Sequence, residues 1–261
     1  MNRAERRRQT KDDEKRLKGG IDPESSDPEP TAAMARQMHA LFETAKDEKN
    51  IDPPVRFLQA KVDTTLQAMR EIPVACKKGC SHCCYVWVSA TIPEVLFIAK
   101  LMRSRGEAMA LEKVRGAHRR TQDYDFATRE RLSHPCPMLH EDVCSIYESR
   151  PIACRFAVST NAMICMRAFR QSSGENIPTP VRYLKARGVY NIATVIALKH
   201  ADLPHYYYEF NAALTRALER DDAEAAWLSG EDVFFDVRRD PNDVAGERTS
   251  RQLYKHAFGQ I

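Results

Sequence analysis

From Thr31 onward, apolar residues fall at Met34, Met38, Leu41, Phe42 and Ala45. After Pro53 and Pro54 they fall at Val55, Leu58, Val62, Leu66 and Met69. Both sets repeat at intervals of three and four residues, which lays one apolar stripe along an α-helix. The methionines follow that stripe, so they read as core filler rather than as soft-metal ligands. Thr91 and Glu94 have the spacing of a capping box, and Pro93 suits a first helical turn. Val95, Leu96, Ile98, Ala99, Leu101 and Met102 then make a strongly buried helix that Gly106 can end. A charged helix is expected from about 108 to 132, and another from 161 to 171.

Thr179 and Pro180 can open a helix through Val181, Leu184, Val189, Ile192, Ile196 and His200. Pro204 can open one through Tyr207, Phe210, Leu214 and Leu218. Strand signals are sparse, with Val233 to Val237 the one serious candidate. No internal repeat of about twenty to fifty residues occurs. The expectation is a mainly α, irregular helical domain over residues 31–240, with two cysteine-rich loops converging on a metal centre. A small cysteine module flanked by separate helical pieces is the alternative. Residues 1–30 read as a disordered arm, broken by Gly19, Gly20, Pro23, Pro28 and Pro30, and 241–261 as a C-terminal tail.

Composition narrows the class. The chain has 261 residues, 43% hydrophobic and 29% charged, enough to bury a core and too apolar for a mainly disordered protein. The most apolar run, Tyr85 to Met102, is interrupted by Pro93, Glu94 and Lys100, so no membrane span is expected. The start, Met-Asn-Arg-Ala-Glu-Arg-Arg-Arg, lacks the apolar stretch of a secretory signal, which points to the cytoplasm. The Arg6-Arg7-Arg8 cluster invites a nucleic-acid reading, but four acids interleave it and four more follow by residue 30. The first thirty residues cancel in charge, so nucleic acid is disfavoured as a partner.

The cysteines carry the chemistry. There are eight, at Cys76, Cys80, Cys83, Cys84, Cys136, Cys144, Cys154 and Cys165, and none lies outside that interval. In a reducing compartment, clustered thiols bind metal or do redox chemistry rather than form disulfides. Gaps of two and three residues let one turn offer two thiolates to a single ion, and Gly79 can take the positive φ such a turn needs. Three close cysteines with a distant fourth also suit an iron–sulfur cluster. The metal ion is therefore zinc or the iron of an iron–sulfur cluster. Cys83 and Cys84 are adjacent, and in extended chain their side chains would diverge. Two centres of four thiolates each are the natural division of eight. Full ionisation onto two divalent ions would take the net charge of +4 to about zero.

The second group reads Cys136-Pro-Met-Leu, then Cys144-Ser-Ile-Tyr147-Glu-Ser-Arg150-Pro151-Ile-Ala-Cys154-Arg155. With Cys-x3-Cys-x2-Cys-Cys before it, this run resembles the YkgJ-like cysteine-cluster family, whose members are described as zinc- or iron-chelating. The resemblance covers about Cys76 to Cys165 and implies a metal site built from these cysteines. Related proteins often have a first gap of two residues where this chain has three. A similar cluster occurs in flagellin lysine N-methylases, which would imply an iron–sulfur, metal-dependent enzyme. No glycine-rich nucleotide loop accompanies it here, so that activity is not carried over.

Lys77, Lys78, Arg150 and Arg155 can offset thiolate charge and donate to sulfur. Tyr147 reads as a packing residue, and Pro151 as the residue that fixes the turn returning Cys154. His82 and His140 are the two histidines inside cysteine spacings, and either could replace a thiolate on zinc. His39, His118, His134, His200, His205 and His256 lie outside any ligand pattern. A metal-binding protein is thus favoured over an enzyme with a catalytic cluster, since no nucleophile–base pair or paired-carboxylate motif is evident. A thiol oxidoreductase ranks below both, because no Cys-x-x-Cys follows a βαβ pattern.

Overall fold

A computed structural model of the protein describes residues 27–106, 108–240 and 247–259. The architecture is mainly α. Helix α1 (Glu29–Glu48) and α2 (Asp52–Ala68) form where the sequence periodicity places them, each with proline in its first turn, where a missing N–H costs no helical bond. Pro30, expected to break a helix, therefore helps begin one. The expected arm otherwise lies outside the described residues. The stripe residues Met34, Met38, Phe42, Val55, Leu58 and Val62 are buried. Each large side chain so placed contributes about 1.5–3 kcal/mol.

Strand β1 (Ser89–Thr91) runs into helix α3 (Ile92–Ser104), and the Thr91–Glu94 capping box forms as its spacing predicts. Helices α4 (Ala108–Thr121) and α5 (Phe126–Arg131) replace the single charged helix expected over 108–132. The Asp125 carboxylate accepts from the Thr128 N–H at 2.7 Å and starts a new helix. Arg238 donates to the carbonyls of Gln122 and Tyr124, which holds the break open.

Strands β2 (Leu139–His140) and β3 (Val143–Cys144) form a short hairpin. Its two loop residues, Glu141 and Asp142, have φ of +47° and +59°. Hairpin loops of this kind favour Asn-Gly, so non-glycine residues here are strained. Helix α6 (Ile152–Arg155) is a single turn. Asn161 caps helix α7 (Ala162–Arg170), accepting from the N–H groups of Met163 and Ile164 at 3.0 and 3.2 Å.

Helix α8 (Val181–His200) packs on α1. Thr179 does not cap it, because its hydroxyl donates to the Val158 carbonyl at 3.0 Å. Residues 207–209, expected to be helical, form strand β4 (Tyr207–Glu209) antiparallel to β1, with Ala90 opposite Tyr208. Glu209 then caps helix α9 (Phe210–Glu219) by accepting from the Ala212 N–H at 2.7 Å. Helix α10 (Ala223–Leu228) follows. The Val233–Val237 strand expectation fails, since these residues run through turns. Residues 247–258 of the expected tail form helix α11 (Glu247–Phe258), packed on α1 and α8. Among the described residues, no helix is long and apolar enough to cross a membrane.

Candidate metal centre

All eight cysteines line a single cavity of about 380 Å³. They reach it from different elements. Lys77 to Cys80 form a turn closed by the Cys80 N–H on the Lys77 carbonyl at 2.9 Å. Gly79 takes φ +84°, the left-handed value the third position of such a turn demands. Cys83 and Cys84 lie on a 3-10 turn over His82–Tyr85. Side chains one apart on a 3-10 turn diverge less than on a strand. Both residues line the same cavity, where extended chain would have sent their side chains to opposite sides.

The second group is tied to the first through the backbone. The Cys136 N–H donates to the Cys84 carbonyl at 2.7 Å. Cys144 sits on β3 opposite Leu139 of β2. Pro151 precedes α6, and its carbonyl accepts from the Cys154 N–H at 2.9 Å. Cys165 is buried on α7, which packs against the Cys83–Cys84 turn. Cys76, the exposed member, receives the Ser159 N–H on its sulfur at 3.4 Å.

Six of these thiols are pushed toward their neutral form. Burial first, and then neighbouring thiols, push Cys154 well above the ordinary range. Burial pushes Cys136 up to about 12. Burial also raises Cys76, Cys144 and Cys165. For Cys83 the first cause is the hydrogen bond with Cys84, then burial. A cation at the thiols would reverse this, since the thiolate is the ligating form.

The charged neighbours sort differently from expectation. Lys77, Lys78 and Arg150 line the cavity. The Arg150 charge favours the thiolates of Cys83, Cys144 and Cys154. Arg155 faces away: it pairs with Asp63 and donates to the Glu148 carbonyl at 2.9 Å. Tyr147 is not packed inside. It is 48% exposed, and the Arg150 guanidinium lies over its ring at 3.7 Å. His82 lines the cavity, whereas His140 is exposed on the hairpin and is not part of the wall. Among the described residues, Nδ1 of His82 is buried without a hydrogen-bond partner.

Three supports, Arg129, Arg170 and Ser81, have no motif in the sequence, and a fourth, Glu94, does more than its motif shows. Arg129 is 2% exposed and donates to the carbonyls of Tyr85 and His134, each at 2.9 Å. It thereby joins the chain just after Cys84 to the chain just before Cys136. Arg170 donates to Ser81 Oγ, the Tyr85 hydroxyl and Asp142 Oδ1 at 3.1, 2.9 and 3.2 Å. Ser81 also donates to Asp142, so the strained hairpin loop is held from two sides. Glu94 is used twice: beyond its capping box, it accepts from the Ile152 N–H at 2.7 Å and so fixes the turn carrying Cys154.

Thiols suit a borderline or soft cation such as zinc or iron. The donor chemistry of this wall therefore fits such a metal. Among the described residues, no three His, Cys, Asp or Glu side chains already stand at the mutual spacing of one ion's ligand shell. Ligation would have to draw the thiols inward.

Residues 75–173 match a family model, CxxCxxCC, described as a "Putative zinc- or iron-chelating domain". The match spans the interval from the first cysteine to beyond the last and supports metal binding by a cysteine-cluster domain. No curated protein and no solved structure matches the chain.

Proposed function

We propose that this is a metal-binding protein in which Cys76, Cys80, Cys83, Cys84, Cys136, Cys144, Cys154 and Cys165 supply a thiolate centre for zinc or an iron–sulfur cluster. The observation that carries this reading is the gathering of all eight cysteines on one cavity wall from both cysteine groups. Zinc would supply a structural cross-link, and an iron–sulfur cluster would supply one-electron chemistry. The chain's own contribution is to hold the thiols together with Arg129, Glu94 and Ser159 supporting them. Arg150, Lys77 and Lys78 offset the charge created as the thiols lose protons to solvent.

Anaerobic purification followed by elemental analysis and absorption spectroscopy tests this. Brown protein with sulfur-to-iron absorption identifies the cluster, and colourless protein with stoichiometric zinc identifies the ion. Carefully prepared protein that holds neither, and takes up neither on reconstitution, overturns the reading.

A further inference from the structure

Two histidines that take no part in the thiol site lie under the C-terminal helix. His39 of α1 and His200, the last residue of α8, meet edge to face, with ring centroids 4.5 Å apart. Helix α11 closes over them. Its Phe258 ring stacks on His200 at 3.9 Å and meets His39 at 5.6 Å. Nδ1 of His200 is hydrogen-bonded to the Tyr254 hydroxyl at 2.8 Å. Tyr254 and Ala257 are buried, and α11 packs on both α1 and α8.

This seat suits neutral rings. An imidazolium carries an N–H on each nitrogen. Nδ1 of His39 is buried without a hydrogen-bond partner, and the Glu43 carboxylate on the same helix stands at 4.0 Å, beyond hydrogen-bond reach. A charge on His200 alone is accommodated, because the Tyr254 hydroxyl can accept its N–H and the Phe258 face receives the cation. A second charge on His39 has no such reception and repels the first. Burial first, then His200, push His39 below its ordinary value of 6.5; Glu43 opposes them and Lys46 adds to them.

We propose that α11 is a pH-released strap, seated on α1 and α8 while the His39–His200 pair carries at most one proton and lifted when both rings are charged. Freed from the seat, His39 binds its proton at the ordinary value. Docking is therefore complete above about pH 6.5 and is lost as the pH falls below it. The other charged groups at the seat act in both directions. Lys46 is bonded to Glu43 and to the Ala201 carbonyl at 2.9 and 3.0 Å, and Lys199 of α8 lies over the Tyr254 ring at 5.4 Å. Both stay charged throughout. At the start of α1, Glu29 pairs with His256 of α11 at 3.0 Å and with Arg36, which donates to the Ala257 carbonyl at 3.4 Å. The Glu29–His256 pair strengthens when His256 gains a proton, so it opposes release. Arg251 and Lys255 lie on the exposed side of α11.

Hydrogen exchange of the full chain, corrected for the intrinsic rate, reads the strap directly. Protection within 247–258 is expected to fall at least about tenfold from pH 7.5 to pH 5, while α9 keeps its own. His39→Leu and His39→Gln each hold α11 in place at pH 5, and either one that folds suffices. Glu29→Gln removes the opposing pair and moves release to higher pH. Any metal lost at low pH is lost from wild type and variants alike. The difference between them therefore belongs to the histidines and stands whether or not the thiols hold metal. Unchanged protection of α11 in wild type would overturn the strap. So would release that persists in the folded His39 variants, or an equal loss from α9, which is unfolding of the whole chain.

Discussion

The backbone N–H of Cys136 donates to the carbonyl of Cys84 at 2.7 Å, so the two cysteine groups are joined by main chain. The junction is clamped by Arg129, whose two guanidinium nitrogens each hold one flanking carbonyl. A planar fork can serve two such acceptors at once, and an ammonium group cannot match it.

Arg129→Met is therefore expected to cost more than its lost packing. It leaves the Tyr85 and His134 carbonyls without this donor, at about 1–3 kcal/mol for each that stays buried and unpaired. Arg129→Lys should recover less than half of the loss. Denaturant unfolding of the three proteins measures this, and a lysine variant as stable as wild type would show that the fork geometry is immaterial.

Glu94 links the helical core to the Cys154 turn. Glu94→Ala removes the capping box and the Ile152 contact together, so a loss of about 2–4 kcal/mol is expected from a buried cap and an orphaned N–H. Glu94→Gln keeps one acceptor oxygen and should lose less. If binding needs Cys154 held in place, metal affinity falls in the same order as stability. Equal affinities across the series would separate the turn from the site.

Much of this was legible in the residues, for identifiable reasons. Helices α1 and α2 follow from stripes of three and four, since burial of Met38, Phe42 and Val62 dominates there, and α3 follows from its capping box and apolar run. The cysteine grouping followed from spacing alone. What failed were short-range choices that distant partners decide. Tyr207–Glu209 is a strand because β1 lies beside it. The break between α4 and α5 depends on Arg238, far along the chain. Arg155 sits inside the cysteine motif, yet Asp63 on α2 draws it away from the sulfur. Arg129, Ser159 and Arg170 carry no motif, so only the assembled fold shows their work.

Burial of Glu209 gives stability a pH dependence. Desolvation raises its pKa above the ordinary value of 4.5, outweighing the bonds from the N–H groups of Asn211 and Ala212. The folded chain thus keeps a proton that the unfolded chain has already released. That contribution is complete below about pH 4.5 and is lost as pH rises through the raised value. Glu209→Gln cannot ionise, so its stability relative to wild type should improve between pH 4 and pH 7. Melting temperatures of both proteins across that range check the sign. A variant that gains nothing on wild type, or loses ground to it, as the pH rises would mean that the carboxylate is not desolvated as the fold implies.

Removing the metal should loosen the cysteine region more than the helical core. The packing of α1 on α8 and α11 is built on buried apolar side chains and owes nothing to the cysteines. The cysteine elements are small by contrast: a turn, a two-residue hairpin and a single helical turn, held by a few hydrogen bonds. An ion present at a thousand times its dissociation constant adds about 4 kcal/mol to whatever unit it closes. Chelator treatment is thus expected to leave most of the helical circular dichroism while hydrogen exchange speeds up within 75–173. Collapse of the whole helical signal would make the core dependent on the metal. Unchanged exchange would show that the ion does not brace these elements, because their main-chain bonds would then suffice without it.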